Sequence, residues 1–85
     1  MCKSVSIEVE FYAGAAAIVG ERKICVEFTQ PASVSDVRRQ LVERFPKLQG
    51  LAEQSRWAVQ ACFVDEDYLL DNNAMVVMIP PVSGG

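Results

Sequence analysis

The stretch from Ser33 to Pro46 constrains the fold of this chain more than any other segment. Val34, Val37, Leu41, Val42 and Phe45 recur at the spacing of one helix face, and Arg38, Arg39 and Arg44 fall outside it. Ser33-x-x-Asp36 has the form of a capping box, with a shorter acid than the usual Glu. Pro46 stops the helix, since αR geometry is disfavoured at Phe45 and the ring cannot continue the hydrogen-bond ladder. A lone amphipathic helix of this length needs an apolar cover for its stripe, and strand-like segments flank it on both sides. The cover is therefore a sheet.

Those segments read as follows. Val5, Ile7, Val9 and Phe11 alternate with Ser6, Glu8, Glu10 and Tyr12, the period of a strand with one buried face. Residues 13–19 predict a short helical turn ended by Gly20, and Glu21-Arg22 a turn into a second strand with Ile24, Val26 and Phe28 inward. So short a connection makes the two strands antiparallel neighbours. Beyond the helix, residues 47–55 predict a helical or irregular connection broken at Gly50, and residues 57–64 a third strand. Asp65-Glu66-Asp67 is its turn, Tyr68-Leu69-Leu70 a brief edge segment, and Asp71-Asn72-Asn73 a turn whose residues tolerate left-handed backbone. Residues 75–79 form the final strand. The expected fold class is α+β, a mixed sheet with one main helix packed on one face.

The final strand is apolar throughout, and this bears on function. A single helix covers one face of a sheet, so alternate residues of an all-apolar strand meet water unless something else covers them. Either the strand is central and fully buried, or Ile79 or Met78 extends an exposed apolar patch for a partner. The sequence leaves both open.

With 85 residues, 51% of them apolar, the chain is expected to be one domain that folds without staples. No apolar run approaches the roughly eighteen residues of a membrane span, and the first residues lack the pattern of a signal peptide, so a cytoplasmic protein is expected, with no membrane partner. Three cysteines at wide spacing form no CxxC. Cys25 and Cys62 are expected as small apolar residues in or beside strands, and Cys2 as an exposed thiol. The absence of histidine excludes Ser-His-Asp and Cys-His catalysis in cis and His-ligated zinc. A net charge of −3 argues against nucleic acid as a partner. Asp65, Glu66 and Asp67 lack the spacing of a calcium loop, and no metal site is expected.

The sequence closes on Ile79-Pro80-Pro81-Val82-Ser83-Gly84-Gly85. Two glycines without Cβ atoms make a thin strip, and the prolines before them favour an extended stalk. The expected division is a body over residues 1–79 and a flexible tail over residues 80–85, able to reach about 20 Å when extended. Such a tail suits presentation of the Gly85 carboxylate to another protein's active site.

This ending, with Phe11-Tyr12-Ala13, Ile18-Val19-Gly20, Ser33-Val34-Ser35-Asp36-Val37-Arg38 and Ala58-Val59-Gln60, resembles the molybdopterin synthase small-subunit family. These are ubiquitin-like sulfur carriers of the β-grasp fold. Gly-Gly alone is shared by many ubiquitin-like modifiers, and the Pro-Pro-Val-Ser lead-in narrows the resemblance. It implies that an E1-like enzyme adenylates Gly85, that a sulfur donor converts it to a thiocarboxylate, and that the synthase large subunit uses this sulfur on a pterin precursor. It also implies that Pro80, Pro81, Val82, Ser83 and Gly84 form the inserted tail, that no cofactor is bound, and that two small and two large subunits assemble. Tyr12, Phe63 and Ile79 fall where the family places apolar partner contacts.

Three features depart from the family pattern. Asn72-Asn73-Ala74-Met75 replaces an acidic turn, Ala16 stands where relatives carry an arginine, and Ile79 replaces a common aromatic. The alternatives are a sulfur carrier for thiamine, cysteine or tRNA thiolation, a modifier forming isopeptide bonds to lysines, and a plain interaction module.

Overall fold

The structure, a computed structural model, describes residues 5–29 and 31–80, the side chain of Ala13 excepted. The expectations placed on Cys2 and on Pro81, Val82, Ser83, Gly84 and Gly85 lie outside the described residues.

Strand β1 (Val5–Phe11) pairs antiparallel with β2 (Lys23–Phe28), from Val5 opposite Phe28 to Glu10 opposite Lys23. Helix α1 (Ala13–Val19) lies between them and ends at Gly20, whose φ of 86° is the left-handed conformation that glycine adopts without penalty. The chain then forms β3 (Ala32–Ser33) and the long helix α2 (Val34–Arg44), followed by a 3-10 turn (Pro46–Leu48) and α3 (Gln49–Gln54). Strands β4 (Arg56–Val59), β5 (Cys62–Val64), β6 (Leu69–Leu70) and β7 (Ala74–Ile79) complete it. Five strands form one mixed sheet in the order β2-β1-β7-β4-β5, and β3 pairs with β6 in a small second sheet.

The capping box forms as the sequence dictates. Asp36 N–H donates to Ser33 Oγ at 3.3 Å, and Ser33 N–H donates back to Asp36 Oδ2 at 2.9 Å. Val34, Val37 and Leu41 of α2 are buried against Ile7, Val9 and Phe11 of β1 and their neighbours on one face of the sheet. Strand β7 is central, parallel to β1 and antiparallel to β4. The Asn72-Asn73 turn before it is latched to the start of β1: Ser6 N–H donates to Asn72 Oδ1 at 2.9 Å, and Asn73 N–H to the Ser6 carbonyl at 2.7 Å. Asn73 has the left-handed φ, 68°, expected of this turn.

Four expectations are corrected. Residues 57–64 are not one strand but the hairpin β4–β5, turned at Gln60 and Ala61, whose φ values of 52° and 64° are both left-handed. That geometry normally recruits Asn-Gly, so Gln-Ala gives no sequence signal for it. Gly50 does not break the connection; it lies inside α3, where a Cβ would meet nothing within 4 Å. Cys25 and Cys62 lie on strands but are exposed, because strand alternation turns Cys25 to the face away from α2 and Cys62 sits on an edge strand. Met78 is fully buried, packed between Phe11 and Trp57 in the register, and extends no exposed patch. Both readings of β7 hold in part: it is central, yet only Val76 and Met78 are buried, while Val77 and Ile79 are half-buried and Met75 is exposed.

Candidate functional site

The face of the sheet away from α2 has no layer over it among the described residues, and the strand register sets what it displays. One row across the sheet runs Lys23, Glu10, Val77, Ala58, Phe63, each opposite the next on the adjacent strand. The β2–β1 half of this face is charged: Glu8, Glu10, Lys23 and Glu27 all project from it. The β7–β4–β5 half is apolar.

Tyr12 reaches this face because its backbone stays extended, at φ −127° and ψ 156°, before α1 begins. It thus continues the alternation of β1 and points opposite to the buried Phe11. Phe63 is carried by β5 and Ile79 ends β7, one residue past the buried Met78. Tyr12, Phe63 and Ile79, distant in sequence, line one shallow apolar depression with Ala58, Ala61 and Val77. Tyr12 is 49% exposed and Phe63 63%, far more than ordinary core packing leaves. Their place beside the end of β7 puts the depression next to the residue from which the tail departs. Pro80, grouped with the tail in the sequence analysis, is itself buried.

Polar groups frame the depression. The Tyr12 hydroxyl donates a 2.7 Å hydrogen bond to Glu10 Oε1. That bond, and then the Glu10 charge beside it, hold the hydroxyl above its ordinary value of 10.0. Glu8 is paired with Lys23 at 3.9 Å. On the other flank the Arg56 guanidinium stands over the Phe63 ring, 5.1 Å from its centroid, and Arg56 is directly opposite Ile79. Among the described residues it makes no ion pair.

Arg56, Ala58, Ala61 and Val77 are the residues that sequence reading did not assign to this face. The placement of Arg56, Ala58 and Ala61 depends on where the β4–β5 hairpin turns, and a Gln-Ala turn hides that. Ala16 is half-buried and packs against the core, and the Asn72-Asn73 departure serves as the latch on β1. The described residues include no group of three or more His, Cys, Asp or Glu placed to hold a metal ion, and no helix is long and apolar enough to cross a membrane.

Comparison with known proteins matches residues 9–85 to the ThiS family. The molybdopterin synthase sulfur carrier subunit of Caenorhabditis briggsae is 30% identical over 83 residues, covering 95% of this chain and 99% of the relative. Among solved structures, H. volcanii small archaeal modifier protein 1 superposes with a TM-score of 0.83 at 19% identity, covering 92% of this chain and 99% of that one. A chain from the complex of subunits 1 and 2 of molybdopterin-converting factor from Helicobacter pylori gives a TM-score of 0.67 at 17% identity, covering 95% of this chain and 100% of that one. Both structural likenesses are to the fold.

Proposed function

The chain belongs to the ThiS family of ubiquitin-like sulfur carriers, and on that premise we propose that it is the sulfur-carrying small subunit of a molybdopterin synthase, with Gly85 as the reacting residue. The observation that carries this reading is the convergence of Tyr12, Phe63 and Ile79 in one apolar depression at the end of β7. A carrier needs a docking face beside the point where its tail leaves, so that binding the body delivers the carboxylate. The C. briggsae sulfur carrier subunit supports the choice of pathway, and the Helicobacter complex shows a protein of this fold assembled with a second subunit.

The chemistry follows from the inertness of a carboxylate. The Gly85 oxygen attacks the α-phosphorus of ATP on an E1-like enzyme, pyrophosphate leaves, and an acyl-adenylate results. The terminal sulfur of a donor persulfide then attacks the acyl carbon and expels AMP. A thiol then attacks the donor's sulfur in the resulting S–S bond, forming a disulfide with the donor and releasing a thiocarboxylate on Gly85. In the active site of the large subunit this sulfur passes to the pterin precursor. The glycines at 84 and 85 keep the tail narrow enough to enter such sites, and Tyr12, Phe63 and Ile79 make the apolar contacts with the partner's body.

Intact mass after incubation with ATP, an E1-like enzyme and a sulfide source tests the reading. A gain equal to the replacement of one oxygen by sulfur is expected. No gain with several such enzymes would sink it. The likeness to an archaeal modifier favours a second reading, in which the activated Gly85 forms isopeptide bonds to lysines. Conjugates that resist reducing agent and vanish on deletion of Gly85 would select it.

A further inference from the structure

We infer that the chain pairs with a second copy of itself through the apolar half of this outer face. The pair is a two-fold dimer in which Arg56 of each protomer meets Glu10 of the other. This goes beyond the sulfur-carrier reading and does not depend on it.

Two charges beside the depression on this face lack an ion-pair partner among the described residues. Of the charged residues at outward strand positions, Glu8 and Lys23 pair with each other. Glu27 lies opposite Ser6, toward the far end of β1 and away from the depression. Glu10 and Arg56 remain, one acid and one cation, neither in an ion pair among the described residues. They stand on opposite flanks of the apolar strip formed by β7 and β4.

Their spacing is symmetric. Glu10 is on β1, one strand beyond β7, and lies in the row Glu10, Val77, Ala58, Phe63. The Arg56 guanidinium leans over Phe63, one strand beyond β4, at the other end of that same row. With strands about 4.8 Å apart, each charge stands about 7 Å from a line drawn along the strands between β7 and β4. A two-fold axis on that line, lying between two such faces, exchanges the left flank of one copy with the right flank of the other. It sets Val77 of each copy against Ala58 of the other and places each Glu10 against the opposite Arg56. An isologous interface requires this self-complementarity, and a face with acid on both flanks lacks it. The dimer covers the depression that a heterologous partner would occupy, so the two associations exclude one another.

Sedimentation equilibrium of the full chain tests this. Wild type is expected to be half dimeric at about 100 µM, weak enough to yield to a cognate partner. Added salt is expected to weaken the association, because the flanking pairs are exposed. Arg56→Glu and Glu10→Arg each set like charges face to face, and each is expected to weaken it by at least about tenfold. An equimolar mixture of the two variants is expected to recover association to within about threefold of wild type, since both flanking contacts between one variant and the other then join opposite charges. A wild type monomeric at about 1 mM overturns the inference. So does association indifferent to salt, or a mixture no more associated than its components.

Discussion

Gly20 and Gly50 differ only in backbone, and that difference sets opposite expectations for the same substitution. Neither has an atom within 4 Å of where a Cβ would sit, so packing plays no part. Gly20→Ala forces alanine into φ 86° and is expected to destabilise by about 1 kcal/mol. Gly50→Ala, inside α3, is expected to stabilise by about 0.5 kcal/mol through helix propensity. Urea unfolding of both variants checks the pair, and equal effects would contradict the backbone assignment. Asp36 gives a pH dependence at the same scale. The Ser33 backbone N–H, as the largest cause, holds its carboxyl below the ordinary 3.8. A carboxyl lowered by folding contributes stability above its unfolded value and loses it as pH falls through the folded value. The stability gap between wild type and Asp36→Ala is therefore expected at neutral pH and to narrow below pH 3.8, read from unfolding curves across that range.

At the scale of elements, what the sequence disclosed depended on how local the signal was. Helix α2 was legible from end to end because its cap, its stripe and its stop are all written within a few residues. Strands β1 and β2 were legible because one face of each meets water and the alternation survives. The β4–β5 hairpin was not, because Gln60 and Ala61 hold left-handed φ values without the residues that favour them. Replacing them with Asn and Gly is expected to raise stability by about 1 kcal/mol without moving the register. Thermal unfolding reads the gain, and unchanged strand pairing by amide exchange confirms the fold. The same hidden turn concealed half of the candidate site. Tyr12, Phe63 and Ile79 were named by family resemblance, but Ala58 and Arg56 join them only through the pairing of β4 with β7, a long-range register that no short sequence window contains. Helix packing carries a firmer expectation. Leu41→Ala, at a fully buried position, is expected to cost about 2–5 kcal/mol in urea unfolding.

For the whole molecule, the proposed function separates from folding along the chain. The core cluster runs from Ile7 to Met78, and the proposed reacting residue lies beyond it. Deleting Gly84 and Gly85 is expected to leave the midpoint of thermal unfolding unchanged and to abolish the gain of sulfur in intact mass. A large drop in midpoint would mean that the tail supports the body. Phe63→Asp, at an exposed position, is expected to preserve far-UV circular dichroism while weakening binding of the large subunit at least about tenfold.

The side-by-side, same-direction arrangement of β1 and β7 has a mechanical consequence. Tension applied where β7 ends, against a hold where β1 begins, runs along the strands and loads their shared ladder in shear. The bonds from Ile7–Ala74 to Phe11–Met78 must then fail together, whereas a hairpin tugged at its open end unzips one rung at a time. Pulling between these two ends is therefore expected to demand more force than peeling the same strands apart from one end.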